Sequence, residues 1–353
     1  MRVVVGMSGG VDSAVAAHLL KEQGHDVIGV TLRTWESGGS RCCEIDDARN
    51  TAQVLGIPYH TINCSSDFER SIKQPFVECY LHGLTPNPCV LCNRLIKWEW
   101  LLYAAGVFQA DAVASGHYVK LIRKENGRYT VRQAEDRKKD QSYMLYRLTQ
   151  EQLSKTLFPL GDLTKEEVRH IAKTAGLPAA ESQDSQEICF VTSGSYADFI
   201  RENAAEAAME SGNFVDSAGS ILGRHKGIIN YTVGQRKGLG LAMGKPVYVK
   251  AIRPETNEVV VAPEEEIYQR EILCDDVHLM SIPVLPAGES LQGTVKIRYH
   301  HEGENALIQT CEDNTVRILF DQAVKAPAPG QSAVFYDQEK CVIGGGIIKN
   351  GVA

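Results

Sequence analysis

The residues 6–13 read Gly6-Met7-Ser8-Gly9-Gly10-Val11-Asp12-Ser13 and follow directly on an apolar, β-branched run. The glycines permit tight turning and close approach of the backbone to a ligand. Hydroxyls from Ser8 and Ser13, with the unpaired N–H groups and positive dipole end of a following helix, would complete an anion cradle. The Gly-Lys-Ser/Thr ending of a Walker loop is absent. Gly6-Met7-Ser8-Gly9-Gly10 also fits the Gly-x-Ser-x-Gly nucleophile elbow of hydrolases, although that elbow normally follows several strands and this one follows the first. The plainest reading is a glycine turn with Asp12 or Ser13 capping the helix.

Sulfur is the second source of chemistry. Ten cysteines in a chain without a secretion signal do not imply a disulfide framework. Cys64, Cys79, Cys274, Cys311 and Cys341 sit in apolar or mixed runs and read as small buried hydrophobes. Cys89 and Cys92 are two residues apart in a segment stiffened by Pro86 and Pro88. Asn93 is placed to cap a helix over 94–108, which would set Cys92 just outside its N-terminus, where the dipole favours the thiolate. Cys189 closes the polar run 182–190. Four readings compete. Cys92 and Cys189 could form a relay in which one carries a persulfide and the other resolves it through a disulfide. Cys89, Cys92 and Cys189 could hold an iron–sulfur cluster whose fourth corner stays open for sulfide. Cys42 and Cys43 could join Cys89 and Cys92 around zinc, awkwardly, since ligand spacings usually leave two to four residues between them. Or the thiols are inert.

These residues need elements to place them. Strands are expected at 2–6, 26–32, 59–64 and 111–115, with helices at 12–24, 45–56, 67–81 and 94–108. The alternation implies a doubly wound parallel α/β sheet, Rossmann-like, with helices on both faces. Residues 149–176 read as helical, with a capping box from Thr164 to Glu167. After about residue 205 the alternation stops. Strands at 247–253, 259–262, 293–299, 306–309, 316–320, 332–336 and 341–348 suggest a small antiparallel β-barrel. The expected domains are 1–204, binding nucleotide and carrying the chemistry; 205–272, central and basic; and 273–353, the barrel.

Composition bounds the rest. With 43% hydrophobic and 23% charged residues, the chain is ordinary globular material. It lacks the run of about 18 apolar residues that a membrane helix needs, and its first apolar run is too short for a signal peptide; a cytoplasmic protein is expected. The net charge of −7 argues against a uniformly basic nucleic-acid binder. Yet residues 221–253 hold seven Lys/Arg and no acid, and residues 120–147 hold nine Lys/Arg against four acids. An acidic body with two basic stretches suits a protein that meets a polyanion on one face; a solvated surface is the plainer alternative.

Ser-Gly-Gly-Val-Asp-Ser after a first strand resembles the PP-loop ATP pyrophosphatases, which cleave ATP to AMP and pyrophosphate and adenylate an oxygen so that a nucleophile can replace it. By that resemblance Gly6, Met7, Ser8, Gly9, Gly10, Val11, Asp12 and Ser13 would grip ATP, joined by Leu32 and Gly116 at strand C-termini, where ligands of open α/β sheets sit. The likeness then becomes specific. GMSGGVDS at 6–13, TPNPCVLCNRLIKW at 85–98, ASGHYVK at 114–120, KKDQSYML at 138–145, SQDSQEICF at 182–190, YTVGQRKGLG at 231–240 and IRYHH at 297–301 resemble the bacterial tRNA-specific 2-thiouridylase family over essentially the whole chain.

That resemblance implies ATP-dependent 2-thiolation of the tRNA wobble uridine. Its O2 is adenylated, Cys189 carries a persulfide, and Cys92 serves as nucleophile or resolving thiol. A sulfur-relay or cysteine desulfurase protein would supply the sulfur, and Mg2+ would accompany ATP. Asn87, Pro88 and Cys89 would line the target-base pocket, while His117, Lys139, Asp140, Gln141, Arg298, Tyr299 and Gln331 would contact tRNA. Many members have Asp where this chain has Cys89. This departure puts an acid–base role at 89 in doubt and supplies the third ligand for a 4Fe-4S cluster. Two rival functions stay open: an ATP-dependent amide or amidine synthetase acting on a small metabolite, and a non-catalytic RNA-binding protein with a zinc-stabilised cysteine loop.

Overall fold

The computed structural model describes residues 1–34, 45–182, 188–191, 194–204, 210–311 and 315–349. Val3, Val4 and Val5 are fully buried because their strand, β1 (Arg2–Gly6), lies at the centre of a parallel sheet. Helix α1 (Val11–Glu22) leads to β2 (Asp26–Arg33), and α2 (Ile45–Leu55) to β3 (Tyr59–Asn63). Helices α3 (Ser65–Phe68) and α4 (Gln74–Leu81) are joined by a π turn at Glu69–Lys73; α5 (Pro88–Cys92) and α6 (Trp98–Val107) are joined by another at Asn93–Lys97. Strand β4 (Ala112–Ala114) re-enters the sheet before a hairpin of β5 (Val119–Arg123) and β6 (Tyr129–Gln133). After α7 (Ser142–Leu145) and α8 (Gln150–Ser154), β7 (Thr156–Leu157) completes the order β3-β2-β1-β4-β7, every pair parallel. Helices α9 (Lys165–Thr174) and α10 (Tyr196–Asn203) follow.

Successive side chains of a strand face opposite ways. Val3 and Val5 accordingly pack with α1, α2 and α9, and Val4 with α4 and α6. This is the doubly wound sheet that the alternation predicts. Residues 149–176 differ from expectation: the two-residue β7 interrupts the helical run, too short to carry any periodicity. The capping box from Thr164 to Glu167 is present.

The central part is a four-stranded sheet of β8 (Asn213–Val215), β9 (Ile221–Arg224), β10 (Tyr248–Arg253) and β11 (Glu258–Ala262), in the order β10-β11-β8-β9. The closed antiparallel barrel follows: β12 (Tyr268–Leu279), β13 (Ser290–Lys296), β14 (Glu304–Thr310), β15 (Val316–Lys325), β16 (Ser332–Tyr336) and β17 (Val342–Ile348). The segments 247–253 and 259–262, expected in the barrel, therefore belong to the central sheet. The barrel rests on the first part of the chain. At Gly345 a Cβ would lie 2.7 Å from Ala333 O and 2.8 Å from the Tyr146 ring, so the close approach there requires glycine.

Candidate active site

The cradle forms where β1 ends. Gly9 has φ +82°, a left-handed conformation natural to glycine. Met7 is pinned: its N–H donates to Val30 O at 2.8 Å, and its carbonyl accepts from Thr31 Oγ1 at 2.7 Å. Gly10 is the N-cap of α1 and brings no side-chain cap, so the helix starts with N–H groups that lack intrahelical partners. Neither Asp12 nor Ser13 is the cap. The Ser13 hydroxyl accepts from Ser8 N–H at 3.1 Å and donates to Gly10 O at 3.0 Å, closing the loop on itself. The nucleophile-elbow reading also fails to find its geometry: Ser8 Oγ faces Ser13 Oγ at 3.4 Å, and a hydroxyl is no general base. Gly116, after β4, lies against this loop so closely that a Cβ would sit 2.6 Å from Asp12 C and 2.7 Å from Ser13 N.

The loop faces a cavity of ≈ 840 Å³, a size suited to a nucleotide-class ligand. All eight residues from Gly6 to Ser13 line it, with Leu32 and Gly116. Cys89, Cys92 and Cys189 line the same cavity, as do Pro88, His117, Lys139, Gln141 and Tyr299. Thiols remote in sequence thus share one cavity with the glycine loop.

The placement of Cys92 differs from the sequence expectation. The helix starts at Pro88, not at 94, and its cap is Asn87, whose side chain accepts from Cys89 N–H at 3.2 Å. Pro88 at the first helical position forfeits no hydrogen bond. Cys92 is the last residue of α5 and only 8% exposed, whereas Cys89 is exposed and Cys189 half-buried. Asn93 lies in the π turn and donates to Met144 O at 3.0 Å. A five-residue helix offers no sizeable dipole, so position, not a helix end, distinguishes Cys92.

Three residues at the cavity or bonded to its lining escaped the sequence reading. Lys97 lines the cavity from the π turn; such turns recur at functional sites. Burial, with the Lys97 charge, holds His117 well below the ordinary histidine range, so its ring is neutral; Nδ1 pairs with Ser115 Oγ at 2.9 Å. Tyr118 OH donates to Asp12 Oδ1 at 2.7 Å, and Lys165 Nζ meets both Asp12 oxygens at 2.7 and 2.9 Å. Lys165 lay hidden in the first turn of a capped helix, and only its place in the fold marks it. Burial, with Asp140 and Cys89 nearby, pushes the Tyr299 phenol up to about 12.

Other expected residues lie elsewhere. Asp140 is 5% exposed, and its carboxylate turns inward to accept from Ala134 N–H, Ser142 N–H and Ser142 Oγ. Its carboxylate thereby organises the turn that carries Lys139 and Gln141. Arg298 is exposed at the barrel, donating to Lys325 O at 3.1 Å. Gln331 reaches the segment before α5, donating to Thr85 O at 3.0 Å. Cys42 and Cys43 fall outside the described residues, as do 183–187 of the run ending at Cys189. Cys64, Cys274 and Cys341 are buried; burial raises their pKa values, that of Cys64 to about 12, as inert thiols require. Cys79 and Cys311 are partly exposed instead.

The basic stretches behave differently from one another. In 120–147, Lys120 pairs with Glu135 and Asp162, Lys124 with Asp337 and Glu339, and Arg147 with Asp276. In 221–253, Lys250 pairs with Glu266 and Arg253 with Glu258, but Lys226, Arg236, Lys237 and Lys245 are exposed. Among the described residues, no helix is long and apolar enough to cross a membrane.

Comparison with known proteins finds relatives along the whole chain. Residues 1–193 match the tRNA methyl transferase HUP domain, 197–263 the tRNA methyl transferase PRC-barrel domain, and 269–348 the aminomethyltransferase beta-barrel domain. The tRNA-specific 2-thiouridylase MnmA of Lachnoclostridium phytofermentans is 48% identical over 360 residues, covering 99% of each chain. That of Clostridium perfringens is 47% identical over 360 residues, covering 99% of this chain and 98% of the relative. One from Caldanaerobacter subterraneus subsp. tengcongensis is 49% identical over 362 residues, with the same coverage. With relatives of this identity along its whole length, the chain belongs to the tRNA-specific 2-thiouridylase family.

Proposed function

We propose that this protein uses ATP to replace O2 of the tRNA wobble uridine with sulfur, releasing AMP and pyrophosphate. One observation carries the proposal: the glycine cradle and the thiols of Cys92 and Cys189 line a single cavity. The loop 6–13 would hold the phosphates of ATP with backbone N–H groups. The uridine must leave its stack to enter, between Pro88, Cys89 and Tyr299. Adenylation of O2 supplies a leaving group. The terminal sulfur of a Cys189 persulfide attacks C2 and AMP departs with the oxygen. Cys92 thiolate then attacks the Cys189 sulfur, forming a Cys92–Cys189 disulfide and freeing the thiocarbonyl; an external thiol reduces the disulfide.

The same three thiols suit an alternative sulfur source. Cys89, exposed beside the cavity, with Cys92 and Cys189, would hold a 4Fe-4S cluster that supplies bound sulfide. Magnesium would travel on the ATP phosphates; the nearby Asp12 carboxylate is already neutralised by Lys165. The sulfur donor is a relay or desulfurase protein, and the setting is the cytoplasm. We assign 1–204 the chemistry, the central sheet and its exposed lysines and arginines the tRNA backbone, and the barrel further tRNA contact through Arg298 and Tyr299. Since β12 is continuous from Tyr268, the barrel is drawn from there rather than from 273. Asn87, His117, the turn of Lys139, Asp140 and Gln141, and Gln331 complete the proposed tRNA face.

The test is incubation with unmodified tRNA, ATP and a sulfur donor, with thiouridine measured by mass spectrometry. Cys189→Ser is expected to abolish product while tRNA still binds; product at the wild-type rate would refute the assignment. Anaerobic preparation with iron and sulfide assay separates the two sulfur sources, since an active, iron-free protein eliminates the cluster.

A further inference from the structure

The phosphate loop and the turn 134–141 both contribute to the cavity wall, since Asp12, Lys139 and Gln141 line it. Hydrogen bonds tie the loop to the turn along two paths, and both paths end on the Asp12 carboxylate. The first runs through Lys165, the first residue of α9 and 9% exposed. Its Nζ meets both Asp12 oxygens, at 2.7 and 2.9 Å. Its backbone N–H donates to Asp136 Oδ2 at 3.0 Å. That amide lies in the first turn of the helix, where no intrahelical acceptor exists and the dipole favours a carboxylate. Asp136 Oδ1 accepts from Lys138 N–H, and Asp136 O from Lys139 N–H, both at 3.1 Å. One residue thus holds the phosphate loop by its side chain and the turn by its backbone.

The second path runs through Tyr118, which is 2% exposed. Its phenol donates to Asp12 Oδ1 at 2.7 Å. Its backbone clasps Gln141 in both directions: Tyr118 N–H donates to Gln141 Oε1 and Gln141 N–H donates to Tyr118 O, each at 3.0 Å. Buried donors are costly to leave unpaired, so a displacement of the Asp12 carboxylate is felt at the turn.

We infer that the Asp12 carboxylate is a coupling node: through Lys165 and Tyr118 it links nucleotide binding on the loop 6–13 to the turn 134–141, so that ATP and tRNA each tighten the binding of the other. The inference rests on the thiolation reading for the identity of the two ligands. Linkage makes the coupling reciprocal, with one factor for both directions. Its source is ordering: the ligand that binds first fixes the shared bonds, and the second finds its segment already fixed. Lys165 and Tyr118 act here as positioning residues. A site that takes nucleotide tightly only with tRNA in place cleaves little ATP without an acceptor.

The test uses the full-length protein, unmodified tRNA and an ATP analogue with a methylene group between the α and β phosphates, which cannot release pyrophosphate. The readout is the calorimetric Kd of the analogue without tRNA divided by its Kd at saturating tRNA. Wild type is expected to give a ratio of about ten. Tyr118→Phe removes a single oxygen from one path, and Asp136→Ala cuts the other at a residue outside the cavity lining. Each is expected to lower the ratio to about three, and the two together to bring it within about twofold of unity. Asp136→Asn keeps an acceptor for the Lys165 amide and should hold the ratio within about twofold of wild type. A merely structural role would weaken one ligand and leave the ratio alone. A wild-type ratio within about twofold of unity, or a wild-type ratio surviving in the double variant, overturns the coupling. Should the double variant not fold, Tyr118→Phe by itself decides in the same way. A wild-type protein that couples the two ligands yet makes no thiouridine sinks the thiolation reading alone; one that makes thiouridine at a ratio near unity sinks the coupling alone.

Discussion

Replacing Gly116 by alanine should disable ATP use while leaving the fold nearly intact. The added Cβ would lie 2.6 Å from Asp12 C, 2.7 Å from Ser13 N and 2.8 Å from Asp12 O, where ordinary contact begins at 3.4 Å. All three atoms are backbone of the first turn of α1, so no side chain can swing aside. The loop must retreat by about 0.8 Å, and an added methyl group that forces backbone to move costs about 1–3 kcal/mol. The retreat shifts the N–H groups proposed to hold the phosphates, and an error near 1 Å at a reacting site costs up to about 100-fold. We expect tRNA-dependent pyrophosphate release to fall about 10- to 100-fold, with a raised ATP KM. Gly106→Ala is the control. It lies in α6 with nothing within 4 Å of its Cβ, and should add about 0.5–1 kcal/mol of stability without touching activity. A Gly116→Ala enzyme with wild-type kcat and ATP KM would refute the placement of nucleotide on this loop.

Two further outcomes follow from the electrostatics. Lys165→Met leaves the Asp12 carboxylate without its cation; Lys165 is 11% and Asp12 35% exposed at the side chain, so partial hydration limits the loss to roughly 1–3 kcal/mol by urea denaturation, and an unchanged midpoint would show the pair idle. Stability should also fall on acidification. Burial lowers the pKa values of His117, His225, His278 and His301, the last to about 4. The unfolded chain therefore binds more protons between about pH 6.5 and 4. The contribution of these rings is complete above about pH 7 and is lost as pH drops through that window; a urea midpoint that rises from pH 7 to pH 5 would contradict this.

The sequence by itself settles what depends on neighbours along the chain. The β-branched runs at β1 and β2, the glycine loop after Gly6 and the capping box at Thr164 are short-range patterns, and each appears where expected. So does the alternation that makes the sheet parallel and doubly wound, with its ligand side at the strand C-termini. Only the tertiary structure decides what depends on packing. The two residues of β7 carry no period to read. The burial of β12 is too irregular for a clean alternation. The start of α5 at Pro88 follows from the Asn87 cap and the grip of Met144 on Asn93, neither visible as periodicity. Asp140 and Gln331 look like surface groups in the sequence, yet one turns its carboxylate inward and the other spends its donor on the loop before α5. The placing of Cys92 and Cys189 on one cavity with the glycine loop is the furthest from local. It depends on how two segments remote in the chain pack at the C-terminal ends of the central strands, and such placements are fixed by the shape of the whole core rather than by the residues themselves.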